Sequence, residues 1–317
     1  MLISLLSVLL MSAGFATAQG YPNRVIRVVV PFQAGGSTDV VFRILAPRLS
    51  EQLGQTVIVD NRPGGGATIG MDMVAKSPPD GYTLGVATVS FACNPFILAK
   101  LPFDTEKDLV PVSLVTRVPH VLAIHPSVPA RSVKELIALA KAKPGSLFYA
   151  TGGNASSNHL ATELFAYMAG VKMVHVPYKG AGSALTSIVS GETAVMVATL
   201  ASAVQHFRSG RLIALGVSTL KRDPTFPDLP AVAEAGVPGY EVYEWHGVVV
   251  PTGTPGAVIN RLHQEIIKAL TAPDVRERVV SVGAQPVGST PEELNAFIKK
   301  ELATWSKVVK AAGVRVD

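Results

Sequence analysis

Arg27-Val28-Val29-Val30-Pro31-Phe32-Gln33-Ala34-Gly35-Gly36-Ser37-Thr38-Asp39 decides the fold. A β-branched run that stops at a proline, passes two glycines and meets three helix-capping residues reads as strand, tight loop and helix start. That order points backbone N–H groups at an anion, and glycines let a ligand come close to the chain. Ser37, Thr38 and Asp39 are each able to cap the helix. Phe32, Gln33, Ala34, Gly35, Gly36, Ser37, Thr38 and Asp39 are therefore the first candidates for a site that holds a small anionic group.

The same alternation continues along the chain. Strands are expected at Val25 to Val30, Thr56 to Asp60 and Thr83 to Thr88. Val41, Leu45, Leu49 and Leu53 fall on one helix face between them, and Pro47 predicts a kink or break there. After Pro111 the run to Ile124 reads as an extended segment that passes between domains. A second unit then has strands at Leu147 to Ala150, Lys172 to Val176 and Ala194 to Thr199, with helices near His159 to Met168 and Ser183 to Val189. Leu212 to Val217 reads as the return crossing, and Lys221 to Gly239 as an irregular surface connection. Ser132 to Glu135 and Thr290 to Glu293 read as capping boxes, the second opening a terminal helix with Phe297, Ile298, Leu302 and Trp305 on its apolar side. This is parallel α/β architecture in two lobes with a ligand cleft between them.

Composition narrows the class. The first eighteen residues carry no charge, hold an apolar stretch from Leu2 to Phe15 and end in Ala16-Thr17-Ala18, a small-x-small pattern that predicts a secretory signal removed after Ala18. It lacks the Lys or Arg that usually opens such a signal. The rest of the chain has no comparable apolar segment, so a soluble exported protein is expected, free rather than lipid-anchored because residue 19 is Gln. The formal charge of +5 is spread out and not interleaved with aromatics, which suits small anions and not nucleic acid. Cys93 is the one cysteine, so no disulfide forms within the chain and a buried thiol is expected.

A second loop mirrors the first: Tyr149-Ala150-Thr151-Gly152-Gly153-Asn154-Ala155-Ser156-Ser157-Asn158-His159 also runs from a strand through glycines to a helix start. Thr151, Gly153, Asn154, Ser156 and Ser157 are its candidates. A third loop, Val176-Pro177-Tyr178-Lys179-Gly180, offers Tyr178 and Lys179. The glycines of Arg62 to Gly70 are spaced GxGxxxG with no acidic partner, so that segment is read as structural. GxSxG, HExxH, P-loop and CxxC patterns are missing, the seven histidines are scattered without metal-ligand spacing, and no cofactor is expected.

The motifs Pro-Phe-x-x-Gly-Gly-x-x-Asp at 31 to 39, Asn61-Arg62-Pro63-Gly64, Pro79-Asp80-Gly81-Tyr82-Thr83-Leu84, His175-Val176-Pro177-Tyr178-Lys179-Gly180 and Pro230-Ala231-Val232-Ala233-Glu234-Ala235-Gly236 resemble the Bug family. These are the extracytoplasmic solute receptors of tripartite tricarboxylate transporters. The resemblance implies a monomeric periplasmic binding protein of type 2, with a signal at 1–18, one lobe from 19–122 and 220–317, and the other from 123–219. It implies a small organic carboxylate as ligand, held largely by backbone groups and waters of the first loop, and membrane transporter subunits as partners. It adds Thr88, Ser90, Thr199, Trp245 and His246 as edges of the cleft, with Phe32 and Trp245 available to stack on an aromatic acid. Where the family has Phe-Asp-Asn, this chain reads Val197-Ala198-Thr199, which removes polar contacts and makes a less polar ligand plausible. The competing readings are a periplasmic sensory receptor and a secreted hydrolase or isomerase with His159 or Asp39 as base.

Overall fold

The computed structural model describes residues 20–312 apart from residue 225. The signal expected at 1–18 lies outside the described residues. Strand β1 (Ile26–Val30) is buried along most of its length and pairs in parallel with β2 (Val57–Asn61) on one side and β3 (Thr83–Ala87) on the other. A strand covered on both faces needs the continuous apolar run seen in the sequence. Helix α1 (Ser37–Leu53) buries Val41, Leu45, Leu49 and Leu53 as the spacing predicts.

Pro47 does not break α1, which runs through it without interruption. An interior proline costs about 3 kcal/mol. Each fully buried Leu, Val or Phe contributes about 1.5–3 kcal/mol, and α1 docks Phe42, Ile44, Leu45 and Leu49 on either side of Pro47. Packing exceeds the local penalty.

The long strand β4 (Leu109–Ile124) joins the two halves. Its first part pairs antiparallel with β9 (Tyr243–Pro251) over Leu109 to Pro119, and β9 in turn pairs antiparallel with β3. From His120 to Ile124 β4 changes partner and pairs antiparallel with β7 (Val195–Thr199), which is parallel to β5 (Phe148–Thr151); β6 (Val174–Pro177) forms the edge beyond it. Pro119, which has no N–H to give a ladder, stands at this changeover. The sheet is therefore mixed, where sequence alternation predicted parallel pairing. A strand that crosses between lobes and one that comes back run in opposite directions.

The return crossing also lies elsewhere than expected. Strand β8 (Ile213–Val217) stays in the second lobe, antiparallel to Val121–Ile124 of β4, and the chain comes back between Ser218 and Val242. Ser218 fastens the crossings together. Its Oγ accepts from His120 N at 2.8 Å and donates to Val242 O at 2.5 Å, while its own N–H donates to His120 O at 2.9 Å. The Lys221 to Gly239 connection holds a short helix at Val232–Ala235, whose N-cap Ala231 and first residue Val232 are buried.

One apolar core lies under α1, and a second spans both halves beneath the terminal helix Pro291–Ala312. That second core joins Trp245, Leu294 and Trp305 to Tyr149, Leu164 and Phe165 of the second lobe. Thr290 and Glu293 form the expected capping box: Glu293 N donates to Thr290 Oγ1 at 3.2 Å and Thr290 N to Glu293 Oε2 at 2.9 Å. Cys93 is fully buried, and burial pushes its thiol pKa up, so the thiol stays protonated.

Candidate functional site

The first loop is braced from behind. Asp39 accepts from Gly35 N at 2.8 Å and from Arg43 Nε at 2.9 Å, Arg43 Nη2 donates to Asn61 Oδ1, and Asn61 Nδ2 donates to Phe32 O. Burial works against ionisation of Asp39, yet the Arg43 guanidinium and the Gly35 amide hold its carboxyl below the ordinary carboxylate range. It is a brace tied to a cation rather than a free base. Gly35 takes φ +84°, a left-handed conformation that favours glycine, and Gly36 is the N-cap of α1 with no side-chain cap. Gln33, Ala34, Gly35 and Gly36 are exposed, Phe32 and Ser37 are partly buried, and Thr38 and Asp39 are buried. The first amides of α1 have no intrahelical acceptor and lie beside this open stretch.

The second and third loops are zipped to each other. Tyr178 N donates to Thr151 O at 2.9 Å and Gly180 N to Gly152 O at 3.1 Å. A Cβ on Gly152 would stand 2.8 Å from Ala181 N, which explains a glycine there. Ser156 caps helix α5 (Ser157–Ala169; helices α2 Thr68–Ala75, α3 Val89–Ile97 and α4 Val133–Ala142 precede it) by accepting from His159 N. Gly153, Ser156 and Ser157 are partly buried, and Asn154 and Lys179 are exposed. Thr151 is fully buried with its Oγ1 at 2.6 Å from His175 Nε2. The Tyr178 hydroxyl is buried without a hydrogen-bond partner among the described residues.

Other candidates have different fates. Thr88 is buried as the N-cap of α3. Ser90 is buried too, and its Oγ–H donates to Ala155 O at 2.8 Å, a bond between the lobes. Thr199 is paired in register with His120, so the Val197-Ala198-Thr199 strand end abuts the crossing strand; Asn158 Nδ2 donates to Val197 O at 2.8 Å. Trp245 does not edge the cleft. It is fully buried, its ring meets Phe297 edge-on at 5.3 Å, and its Nε1 donates to Glu301 Oε2 at 3.0 Å. Successive strand residues face opposite sides, so Trp245 points into the core and leaves Glu244 and His246 on the other face.

That other face carries His246, which the resemblance places at the cleft, together with Glu244 and, on the crossing strand, His120, which the sequence did not single out. Ser37 Oγ–H donates to Glu244 Oε1 at 2.5 Å, and His246 Nε2 lies 3.4 Å from the same oxygen. His246 Nδ1 is 2.7 Å from Thr116 Oγ1. His120 is fully buried, neither ring nitrogen has a partner among the described residues, and burial lowers its pKa to about 4. Burial opposes the charge on Glu244, but His246 and Ser37 bring its pKa down to about 2. The alternating Glu244-x-His246 was the available signal.

Histidines that look scattered in sequence also meet. The rings of His159 and His175 stack 4.0 Å apart, and Tyr149 stacks on His175 at 5.1 Å. Tyr149 OH donates to Glu163 Oε1. Burial, then His175, lowers the His159 pKa to about 3, and burial lowers that of His175 to about 4. His159 Nδ1 already accepts from Ala155 N at 3.2 Å. So poor a proton acceptor, sealed in a stack, is built as a wall of the second loop rather than a general base. No group of three or more His, Cys, Asp or Glu with metal-holding geometry occurs among the described residues.

Two lobes joined by crossing strands, each with a glycine loop opening a helix, match a known receptor family. Residues 41–314 fit the family model described as tripartite tricarboxylate transporter family receptor. The chain belongs to this family. It is 38% identical to protein BugT of Bordetella pertussis over 320 residues, covering 99% of this chain and 98% of BugT. Among solved structures, Rpa4515 of R. palustris with adipate is 37% identical with TM-score 0.84, covering 92% of this chain and 98% of that one. MatC of Rhodopseudomonas palustris with bound malate is 32% identical with TM-score 0.82, covering 91% and 100%. The family is one of periplasmic solute-binding receptors, and no described helix of this chain is long and apolar enough to cross a membrane.

Proposed function

We propose that this protein is a monomeric periplasmic receptor that captures a small organic carboxylate by hinge closure and hands it to the membrane subunits of a tripartite tricarboxylate-type transporter. The observation that carries this reading is the pair of helix N-termini at Ser37 and Ser157, each reached through a glycine loop from β1 or β5, in halves joined by β4. Such termini attract carboxylates. The lobes are 19–122 with 220–317 and 123–219, meeting at the Ser218 fastening. The ligand lies against Phe32 to Asp39, Thr151 to Ser157, Tyr178, Lys179 and Thr199. Adipate on Rpa4515 and malate on MatC support the carboxylate class.

Thermal unfolding with a carboxylate panel tests it. A ligand that binds only the folded state stabilises by about 2.7 kcal/mol at a hundredfold excess over its Kd. Stabilisation by at least one carboxylate, recovered chemically unchanged, is expected. Stabilisation by sugars or simple amines and by no carboxylate overturns the reading.

A further inference from the structure

Glu244 places a fixed negative charge where a plain carboxylate ligand would dock. It stands at the N-terminus of α1, with one oxygen bound by Ser37 and near the Thr38 hydroxyl at 3.5 Å. Among the described residues the hydrogen bonds to Glu244 all fall on that one oxygen, and the side chain keeps 14% of its surface accessible. No lysine or arginine pairs with it among the described residues. His246 Nε2 at 3.4 Å is long for a charge-assisted bond, which is usually about 2.7–2.9 Å. The second observation is independent of the helix end. His120 lies on the same face of the crossing strand, within electrostatic reach of Glu244, fully buried and with both nitrogens unpartnered among the described residues. Buried polar groups without partners are rare and call for an explanation, and a bound molecule that completes the bonding is one.

A dicarboxylate set against the first loop meets the α1 amides and the like charge of Glu244 together. An amino acid meets both favourably: its carboxylate takes the amides and its ammonium takes Glu244. We propose that Glu244 makes this cleft selective for a carboxylate that also carries a protonated amine, an amino acid in place of a plain di- or hydroxycarboxylate. This rests on the carboxylate-receptor reading and names its ligand class.

The test uses the whole mature protein and matched ligands of equal chain length, measured by calorimetry: α- and ω-amino acids, the corresponding monocarboxylates, dicarboxylates, hydroxy acids and diamines. An amino acid is expected to bind at least tenfold more tightly than its amine-free analogue. Glu244→Gln is expected to lose that preference while retaining a cooperative unfolding transition. Tighter binding of a dicarboxylate or hydroxy acid than of any amino acid overturns the inference and leaves the carboxylate reading in place. Binding of diamines alone, lost in Glu244→Gln, keeps the role of Glu244 and overturns the carboxylate reading. Binding by none of these ligands overturns both. If Glu244→Gln does not fold, the ranking of ligands on the unaltered protein still decides.

Discussion

Ser90 Oγ donates a 2.8 Å hydrogen bond to Ala155 O, from the N-terminal turn of α3 in one lobe to the second loop of the other. Ala155 holds φ +59°, which costs a non-glycine residue energy, and the bond holds the carbonyl in that conformation. Ser90 is thus a latch between lobes. Ser90→Ala leaves a buried acceptor unpaired, which costs about 1–3 kcal/mol. If the lobes close on the ligand as proposed, with this bond made in the closed form, ligand affinity measured by calorimetry is expected to fall about tenfold or more. Unchanged affinity with a lowered Tm would make Ser90 an ordinary core bond.

Gly152 and Gly36 make a matched pair. A Cβ at Gly152 meets Ala181 N at 2.8 Å and the Gly180 carbonyl carbon at 3.1 Å, both backbone atoms that yield only if the two loops separate. A Cβ at Gly36 meets only Gln33 O, at 3.6 Å. Gly152→Ala is expected to destabilise by about 1–3 kcal/mol, the usual cost of overpacking, and to weaken binding. Gly36→Ala is expected to keep the Tm within a degree or two. Urea unfolding of the two variants checks this, and equal effects would contradict the loop zipper.

Local chemistry was readable in the chain, and partner choice was not. The loop from Pro31 to Asp39, its twin at Thr151 to Ser157 and the boxes at Ser132 and Thr290 depend on residues a few positions apart, so spacing exposes them. The resemblance puts Trp245 at the cleft, and the sequence has no means to correct it, because alternation along a strand tells which residues share a face but not which face looks outward. His246 does lie on the face opposite Trp245, and the same ambiguity hid its neighbours Glu244 and His120. Leu212 to Val217 looked like a crossing because an apolar run does not reveal which neighbour it pairs with. Asp39 looked like a plain cap until Arg43, Asn61 and Phe32 were seen to brace it. The His159–His175 stack joins residues on different elements and left no local trace.

Acid sensitivity follows from the buried histidines. Folding lowers the pKa of His120 to about 4 and of His159 to about 3, both from 6.5, with burial as the main cause. Below pH 6.5 the unfolded chain binds protons that the folded chain refuses. Their stabilisation is complete above that pH and is lost as pH falls toward the folded values, each histidine contributing at most about 1.4 kcal/mol per pH unit. Glu244, also lowered, extends the loss to more acid pH, while the raised Glu163 opposes it there. The urea midpoint is expected to be flat above neutrality and to drop steeply from pH 6.5 to 4. His120→Gln is expected to lessen that drop. A midpoint constant down to pH 4.5 would show that these histidines protonate freely in the folded protein.

Glu301 accepts from the chain's only two tryptophans, Trp245 Nε1 at 3.0 Å and Trp305 Nε1 at 3.1 Å. Burial pushes the Glu301 carboxyl up from its usual range, so the charge itself is poorly favoured there and the oxygen is what the two indoles need. Glu301→Gln keeps a carbonyl oxygen in place and is expected to change stability by less than about 1 kcal/mol, within the net value of an ordinary hydrogen bond. Glu301→Ala strands both indole N–H groups in the core and is expected to cost about 2–5 kcal/mol, as for unpaired buried donors with a cavity beside them. Because Trp245 sits on β9 and Trp305 on the terminal helix that packs against both lobes, tryptophan emission is expected to shift in Glu301→Ala and hardly at all in Glu301→Gln. Equal losses in the two variants would mean that the carboxylate charge, and not its oxygen, holds the helix to the sheet.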